Sequence, residues 1–284
     1  MNKIKSTDLI LSGGAVYHLG LHPGQLSEKI ITVGDPGRVA KVSRHFDRIE
    51  HRAEHREFIT HTGYFEGKRI TVISTGMGTD NIEILMTELD ALVNVDLEKM
   101  EAKAELTTLD IVRIGTSGSL RVNITTGTFL VSETALGIDS LMSFYPPYGS
   151  AADQELAEAF QKQIGLPFSP YVGHGSPRLL DQIGKGMVRG LTLTCPGFYA
   201  PQGRAVRVRP AKGDLIGLYA GFQHGRLGIT NFEMETAGYY AMGALLGHNM
   251  LSVNVIVANR MTDEFSKNAD QEMEEAIRLV LERI

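Results

Sequence analysis

The chain carries one cysteine, Cys195, in 284 residues. A lone cysteine excludes an intrachain disulfide and any zinc site built from thiolates, and it suits a reducing compartment. Positive charge is also in short supply: 28 lysines and arginines stand against 33 acidic residues, a formal net charge of −5. General attraction to nucleic acid or to an anionic membrane is therefore not expected. An anionic substrate would need a local cluster of arginines. No apolar run is long enough to cross a bilayer and no signal-like apolar core stands near Met1, so a soluble, cytoplasmic protein is expected. A Walker loop is missing too, because the first glycine turn, Gly34-Asp35-Pro36-Gly37-Arg38, lacks the Lys-Ser/Thr ending.

What is present points to one large α/β domain over 1–284. Hydrophobic residues make up 43% of the chain, enough to bury a sizeable core, and 31 glycines favour many tight strand–helix turns. The apolar run Leu109 to Leu120 reads as a buried strand emptying into a glycine- and hydroxyl-rich turn. Arg113, two residues before that turn, needs an anionic partner, since a lone buried guanidinium is costly. Gly115 and Gly118 would let a ligand approach the backbone, and Thr116 and Ser117 add hydroxyls. Such a set suits a phosphate or a polyhydroxylated sugar; the plain alternative is a β-turn beside a salt-bridged arginine.

Taken in order, Met1 to Gly14 reads as loosely held, and His18 lies in an apolar stretch, Val16 to Leu21. Lys29–Val33 reads as the first core strand and Val39 to Phe46 as a helix. Between them, Gly34 to Arg38 could bind an anion at a helix N-terminus, or could be an ordinary strand–helix turn. Glu54 to Phe58 reads as a solvated charge run. Arg69 to Ser74 is a second strand, and an amphipathic helix starts near Asp80. Asp96 to Glu105 reads as a helix end and surface loop. Gly127 to Ser132 is a strand, Ala135 to Ser150 a loop, and Asp153 to Gly165 a helix. Tyr171 to Gly175 and Val188 to Thr194 are strands around a short helix. In the loop Pro196 to Arg204, the amide of Gln202 and the guanidinium of Arg204 could read the edge of a flat heterocycle, or could simply be exposed polar groups. Glu233-Met234-Glu235 sits where a strand meets the helix Thr236 to Leu246. A carboxylate there can accept both hydrogens of a cis-diol, or can serve the helix dipole. Leu251 to Ala258 and a C-terminal helix complete the pattern. The alternation predicts a central mixed β-sheet flanked by helices, with ligand groups at the strand ends.

These motifs resemble the nucleoside phosphorylase superfamily over nearly the whole chain, from Tyr17-His18-Leu19-Gly20-Leu21 to Asn259-Arg260. Gly34-Asp35-Pro36 with Arg38, Arg113-Ile114-Gly115-Thr116 and Glu233-Met234-Glu235 are the general marks. Phe198-Tyr199 followed by Gln202-Gly203-Arg204 is similar to the uridine phosphorylases within it. The resemblance implies phosphorolysis: uridine and phosphate giving uracil and ribose 1-phosphate in pyrimidine salvage, with phosphate a co-substrate and no cofactor. It implies phosphate binding by Gly34, Arg38, Arg113 and Thr116, completed by Arg56 from a neighbouring subunit. His18, also from the neighbour, would meet the ribose together with Met234 and Glu235. Ser117, Gly118, Phe198, Gln202, Gly203 and Arg204 would form the base site, with Glu233 and Arg260 behind. A homodimer with shared sites follows, and a hexamer is open, although the long segment Asp96 to Thr108 would obstruct it. Family members can hold potassium through the residue matching Glu57; the position paired with it is Asn81 rather than serine, which argues against the ion. Ala200-Pro201 departs from the usual spacing of the base loop. A purine nucleoside phosphorylase, a nucleosidase or a non-catalytic nucleoside-binding protein are the alternatives.

Overall fold

β-Branched and apolar residues fill the strands on both faces, as a sheet covered on both sides by helices requires. In the computed structural model, which describes residues 3–284, the first core strand is β1 (Lys29–Val33), followed by α1 (Pro36–Ser43). Three antiparallel strands come next, β2 (Arg48–His55), β3 (Phe58–Phe65) and β4 (Lys68–Ser74), and then α2 (Thr79–Asn94). The middle of the chain supplies β5 (Asp110–Ser119), β6 (Phe129–Gly137), α3 (Ala151–Ile164), β7 (Tyr171–His174), α4 (Pro177–Gln182) and β8 (Val188–Thr194). After α5 (Leu215–Ala220) come β9 (Ile229–Glu233), α6 (Thr236–Leu246), β10 (Asn249–Asn259), β11 (Glu264–Phe265) and α7 (Ala269–Arg283).

These strands form one mixed sheet in the order β11-β10-β6-β8-β9-β5-β1-β4-β3-β2, with β7 paired to β6. β10 also pairs with β5 in parallel, so β10, β6, β8, β9 and β5 close into a five-stranded barrel. β1, β4, β3 and β2 extend from it as an open wing. Successive residues of β1 show how both faces are covered. Ile30 packs with Ile82, Leu85 and Leu89 of α2 and Tyr239 of α6. Ile31 packs on the other side with Val39 and Val42 of α1 and Ile277 and Val280 of α7.

The open edge of β5 fixes where a ligand can sit. β5 runs parallel to β1 as far as Ile114 and pairs antiparallel with β9 from Gly118. Between those points, Gly115 to Ser117 have β10 on one edge and no strand on the other. A strand that changes partners leaves a crevice of this kind.

Several local expectations change. The stretch Gly115 to Gly118 is not a turn but the second half of β5. The helix expected from Val39 starts at Pro36, because the Asp35 side chain accepts the Gly37 N–H at 2.9 Å and the proline ring suits a first helical turn. Glu54 to Phe58 is the tip of the β2–β3 hairpin, with Arg56 at φ 56. β6 continues to Gly137, beyond the expected loop boundary. Within Met1 to Gly14, residues 1–2 lie outside the described residues; Leu9 is buried and Leu11–Ser12 pairs with Ala15–Val16. Asp96 to Glu105 includes a small hairpin joining Val95–Asp96 to Glu101–Ala102. The loop Pro196 to Arg204 contains one helical turn, Ala200–Gln202.

Candidate active site

A cleft of about 520 Å³ opens along the free edge of β5. One end is made by Gly34, Asp35 and Arg38 at the start of α1, the other by Phe198, Gln202 and Arg204, and Glu233, Met234 and Glu235 lie between. β5 spans the two ends. The Arg38 Nη1 donates to the Ile114 carbonyl at 3.4 Å, whereas Gly118 faces the Phe232 ring and the Arg260 side chain. Four residues of strand at about 3.3 Å each separate these points by about 13 Å.

At the centre, Arg113 is 6% exposed and enclosed by acceptors. Its Nη2 donates to Glu235 Oε2 at 2.6 Å and lies 3.1 Å from Glu233 Oε2. Its Nη1 donates to Asn254 Oδ1 at 3.0 Å and to Ser252 Oγ at 3.2 Å. Burial opposes the charge, but Glu233 and Glu235 outweigh it and hold the guanidinium above its ordinary pKa. The anion that Arg113 needs is thus supplied within the chain. Gly115 serves this pair: a Cβ there would lie 2.1 Å from Arg113 Nη1, so the missing side chain makes room for the guanidinium rather than for a ligand.

The two carboxylates do different work. Glu233 Oε2 accepts the N–H groups of Glu235 and Thr236, each at 2.9 Å, and its Oε1 accepts the Thr194 hydroxyl at 2.6 Å. It therefore caps α6 and fixes the β9–α6 junction. Glu235 accepts from Arg113 and, at 2.9 Å, from the Gly78 N–H. Burial first, and then the neighbouring Glu233, push its pKa up against the pull of Arg113. The face of Glu235 toward the cleft has lone pairs left to accept hydroxyls.

At the far end, Gln202 is 3% exposed. Arg204 Nη1 donates to its Oε1 at 2.5 Å and to the Phe198 carbonyl at 2.6 Å. The guanidinium also stacks 3.7 Å over the Phe198 ring, a cation–π contact. Arg260 Nη1 donates to the Gln202 carbonyl at 3.2 Å from behind. Burial, and then Arg260, lower the pKa of Arg204. Two guanidinium groups thus face a region with no carboxylate paired to Arg204 among the described residues.

The arrangement matches a known family. A model of the phosphorylase superfamily matches residues 28–284. The chain belongs to the phosphorylase superfamily. Uridine phosphorylase of Thermococcus kodakarensis is 27% identical over 95% of this chain and 88% of its own length. Uridine phosphorylase of Escherichia coli is also 27% identical, over 96% and 98%. Among solved structures, a Trypanosoma brucei nucleoside phosphorylase described as showing uridine phosphorylase activity superposes with a TM-score of 0.88 and 28% identity, covering 97% of this chain and 99% of that one. The mixed sheet flanked by helices is the fold of this superfamily.

The residues singled out in the sequence fall into three groups. Gly34, Arg38, Glu57, Arg113, Thr116, Ser117, Gly118, Phe198, Gln202, Arg204, Glu233, Met234 and Glu235 line the cleft. Gly203, at φ 69, shapes the turn that presents Gln202 and Arg204, and Arg260 stands behind them. His18 and Arg56 do not line the cleft of their own chain. They lie together beside Glu57, which does line it: Arg56 Nη2 donates to the Tyr17 hydroxyl at 3.3 Å, and Tyr17 packs edge-on against His18. His18 is held by Glu88 through its Nδ1, 2.7 Å away, and through its own backbone N–H. Near the rim, Asn81 donates to the Thr75 carbonyl at 2.9 Å, and a Cβ on Gly76 would meet both Asn81 and Glu57. Sequence reasoning missed Phe232, which faces Gly118, and Met77 and Phe265, which are exposed and line the cleft. A period-2 reading of Ile229 to Glu233 does place Phe232 on the opposite face from Asn231 and Glu233.

Proposed function

We propose that the chain is a uridine phosphorylase, transferring the ribosyl group of uridine to inorganic phosphate and releasing uracil. The observation that carries the base assignment is the buried Gln202 bonded to Arg204 at the end of the cleft away from Arg38. Uracil presents two carbonyls and an N3–H along one edge. The Gln202 amide can donate to one carbonyl and, with its second lone pair, accept N3–H; Arg204 can donate to the other carbonyl. Cytosine has an amino group and a bare N3 on that edge, so buried donors and acceptors would go unpaired.

Phosphate belongs at the Gly34 and Arg38 end, where Thr116 adds a hydroxyl and the α1 N-terminus a favourable dipole. Arg113 contributes charge there while chiefly holding Glu235. Glu235 accepts the ribose hydroxyls, and Met234 packs the sugar. As the glycosidic bond breaks, positive charge grows on the ribose and negative charge on the base. The phosphate meets the first; Arg204 and Gln202 meet the second, so catalysis is electrostatic and needs no carboxylate acid–base pair. Cys195 takes no part: burial first, then Glu233, push its thiol well above the ordinary range.

The same reading makes the whole chain one catalytic domain in a cytoplasmic homodimer. Arg56 and His18 then complete the neighbour's cleft at its phosphate and ribose ends. Their clustering outside the lining of their own cleft supports this sharing. Mixed dimers of Arg56→Ala and Glu235→Ala chains should regain part of the lost activity through hybrid sites; no recovery in proven mixed dimers would refute the crossing.

The decisive assay follows ultraviolet absorbance as wild-type protein is given uridine, cytidine or inosine, with and without phosphate. Phosphate-dependent loss of uridine, far faster than of the other two, is expected. Cleavage of inosine as fast as uridine would remove the base assignment, and cleavage without phosphate would make the protein a nucleosidase.

A further inference from the structure

The interior of the five-stranded barrel is crossed by a belt of buried polar side chains, at least one from each strand. Starting at β5, Arg113 donates to Asn254 on β10 at 3.0 Å. Asn254 Nδ2 lies 3.2 Å from Ser132 Oγ on β6, which lies 2.6 Å from Thr192 Oγ1 on β8. Thr192 Oγ1 is 3.0 Å from Asn231 Oδ1 on β9, and Asn231 Nδ2 is 2.9 Å from Ser117 Oγ, back on β5. The order of residues follows the order of strands round the barrel. Ser132, Thr192, Asn231 and Asn254 are all fully buried.

The direction of every hydrogen in this belt is fixed from one end. Arginine only donates, so Asn254 must present its oxygen to Arg113 and its amide hydrogens to Ser132. Ser132 then accepts from Asn254, and Thr192 is the acceptor within reach for its own hydrogen. Thr192 must pass its hydrogen to Asn231 Oδ1, which also lies 2.8 Å from the Thr230 hydroxyl. Asn231 is left with its Nδ2 toward Ser117. Reversing any link would bury a hydroxyl hydrogen without an acceptor, which is costly in a low-dielectric interior. Ser117 Oγ therefore receives a hydrogen from the belt and has its own to give. That hydroxyl makes no other hydrogen bond among the described residues, and Ser117 lines the cleft at the end where Gln202 lies.

We propose that the belt makes Ser117 an obligate donor to a carbonyl oxygen of the base, with Asn231 and Thr192 as positioning residues that act through it. The proposal rests on the uridine phosphorylase reading and extends it to residues that touch no substrate. It also ties the centre of the cleft to its base end, because the same chain of bonds starts on the guanidinium that holds Glu235.

A double-mutant cycle tests it with steady-state phosphorolysis of uridine, KM being measured separately for uridine and for phosphate. Ser117→Ala should raise the uridine KM about tenfold, the value of one lost hydrogen bond, and leave the phosphate KM within about twofold. Thr192→Val, nearly isosteric and remote from substrate, should raise the uridine KM about threefold in the wild-type background and not at all in the Ser117→Ala background. Thr192→Ser, which keeps the hydroxyl, should behave as wild type. If Thr192→Val does not fold, Asn231→Ala takes its place in the cycle with the same expectation. Effects that multiply in the double variant, or a phosphate KM that rises as much as the uridine KM, overturn the proposal. Wild-type turnover of uridine is the separate control: its absence would overturn the functional reading, and the carbonyl donor with it.

Discussion

The centre of the cleft and its base end are built in opposite ways. At the β9–α6 junction, Glu233 and Glu235 are buried, and their oxygens meet Arg113, Thr194 and three backbone N–H groups. β5, β8 and β9 supply Arg113, Thr194 and Glu233 there, so the geometry comes from the fold. At the base end, Phe198 is 49% exposed, and Arg204 rests on residues of its own loop, the Phe198 carbonyl and ring and the Gln202 amide. Under the proposed function the centre would meet the sugar that ribonucleosides share, and the loop would carry the choice of base. The loop rests on its own residues, so chemistry and specificity should separate on substitution.

The largest effect should come from the centre. Arg113→Ala leaves two buried carboxylates without their cation. Breaking one side of such a cluster costs about 3–5 kcal/mol, to be read from denaturant unfolding, and turnover should be nearly lost. A stable, active Arg113→Ala protein would show that the centre is not built on this pair. Next, Arg204→Ala should lower kcat/KM for uridine by about a hundredfold, as expected for losing about 3 kcal/mol of donation to the base. Its unfolding midpoint and phosphate KM should stay near wild type. Loss of stability comparable to that of Arg113→Ala would erase the contrast between the two regions.

A pH profile sharpens the comparison within the centre. Burial raises the Glu235 pKa, so its ionised form is lost on the acid side at a higher pH than for an exposed glutamate. Turnover should fall as pH drops through that raised value, because a protonated carboxyl cannot accept both ribose hydroxyls. For folding the sign is opposite. A group whose native pKa exceeds its unfolded pKa stabilises the native state below the unfolded value and loses that contribution as pH rises through the native one. Glu235→Gln removes that gain, so the variant should lose stability more steeply than wild type as pH falls through this window, where Asp153 and Glu274, with lowered pKa values, pull the other way. An unchanged dependence would show that Glu235 does not titrate there.

The residues that line the cleft were more legible in the sequence than the elements that carry them. Lys29–Val33, Val188–Thr194 and Thr236–Leu246 have the boundaries expected from their apolar patterns. Arg48 to His55 shows no apolar face in the sequence, and its end merges into the charge run Glu54 to Phe58, because β2 lies at the sheet's edge, where neither face is fully buried. Gly115 and Gly118 look like a turn because a single sequence cannot show that a guanidinium and the Phe232 ring take the space of their side chains. The barrel's polar belt is the least legible feature. Asn231, Asn254, Ser132 and Thr192 stand singly in four separate strands, and only closure of the sheet brings them together on one buried interior face.

The smallest effect concerns the boundary between the two regions. Cys195 follows β8 directly, its N–H donates to the Glu233 carbonyl at 2.8 Å, and the base loop begins at the next residue. Its thiol is fully buried, and burial, with Glu233 nearby, keeps it protonated. Only the thiolate is nucleophilic, so the native protein at pH 8 should react with iodoacetamide far more slowly than the unfolded chain does. The expected result is full modification in denaturant and negligible modification in buffer over the same time, followed by mass spectrometry. Saturating uracil should change little, because the thiol belongs to the fixed side of the boundary. If instead the native thiol reacts readily and uracil suppresses the reaction, the base loop opens as far back as Cys195. The rigid part of the site would then end at Glu233 rather than at the loop's first residue.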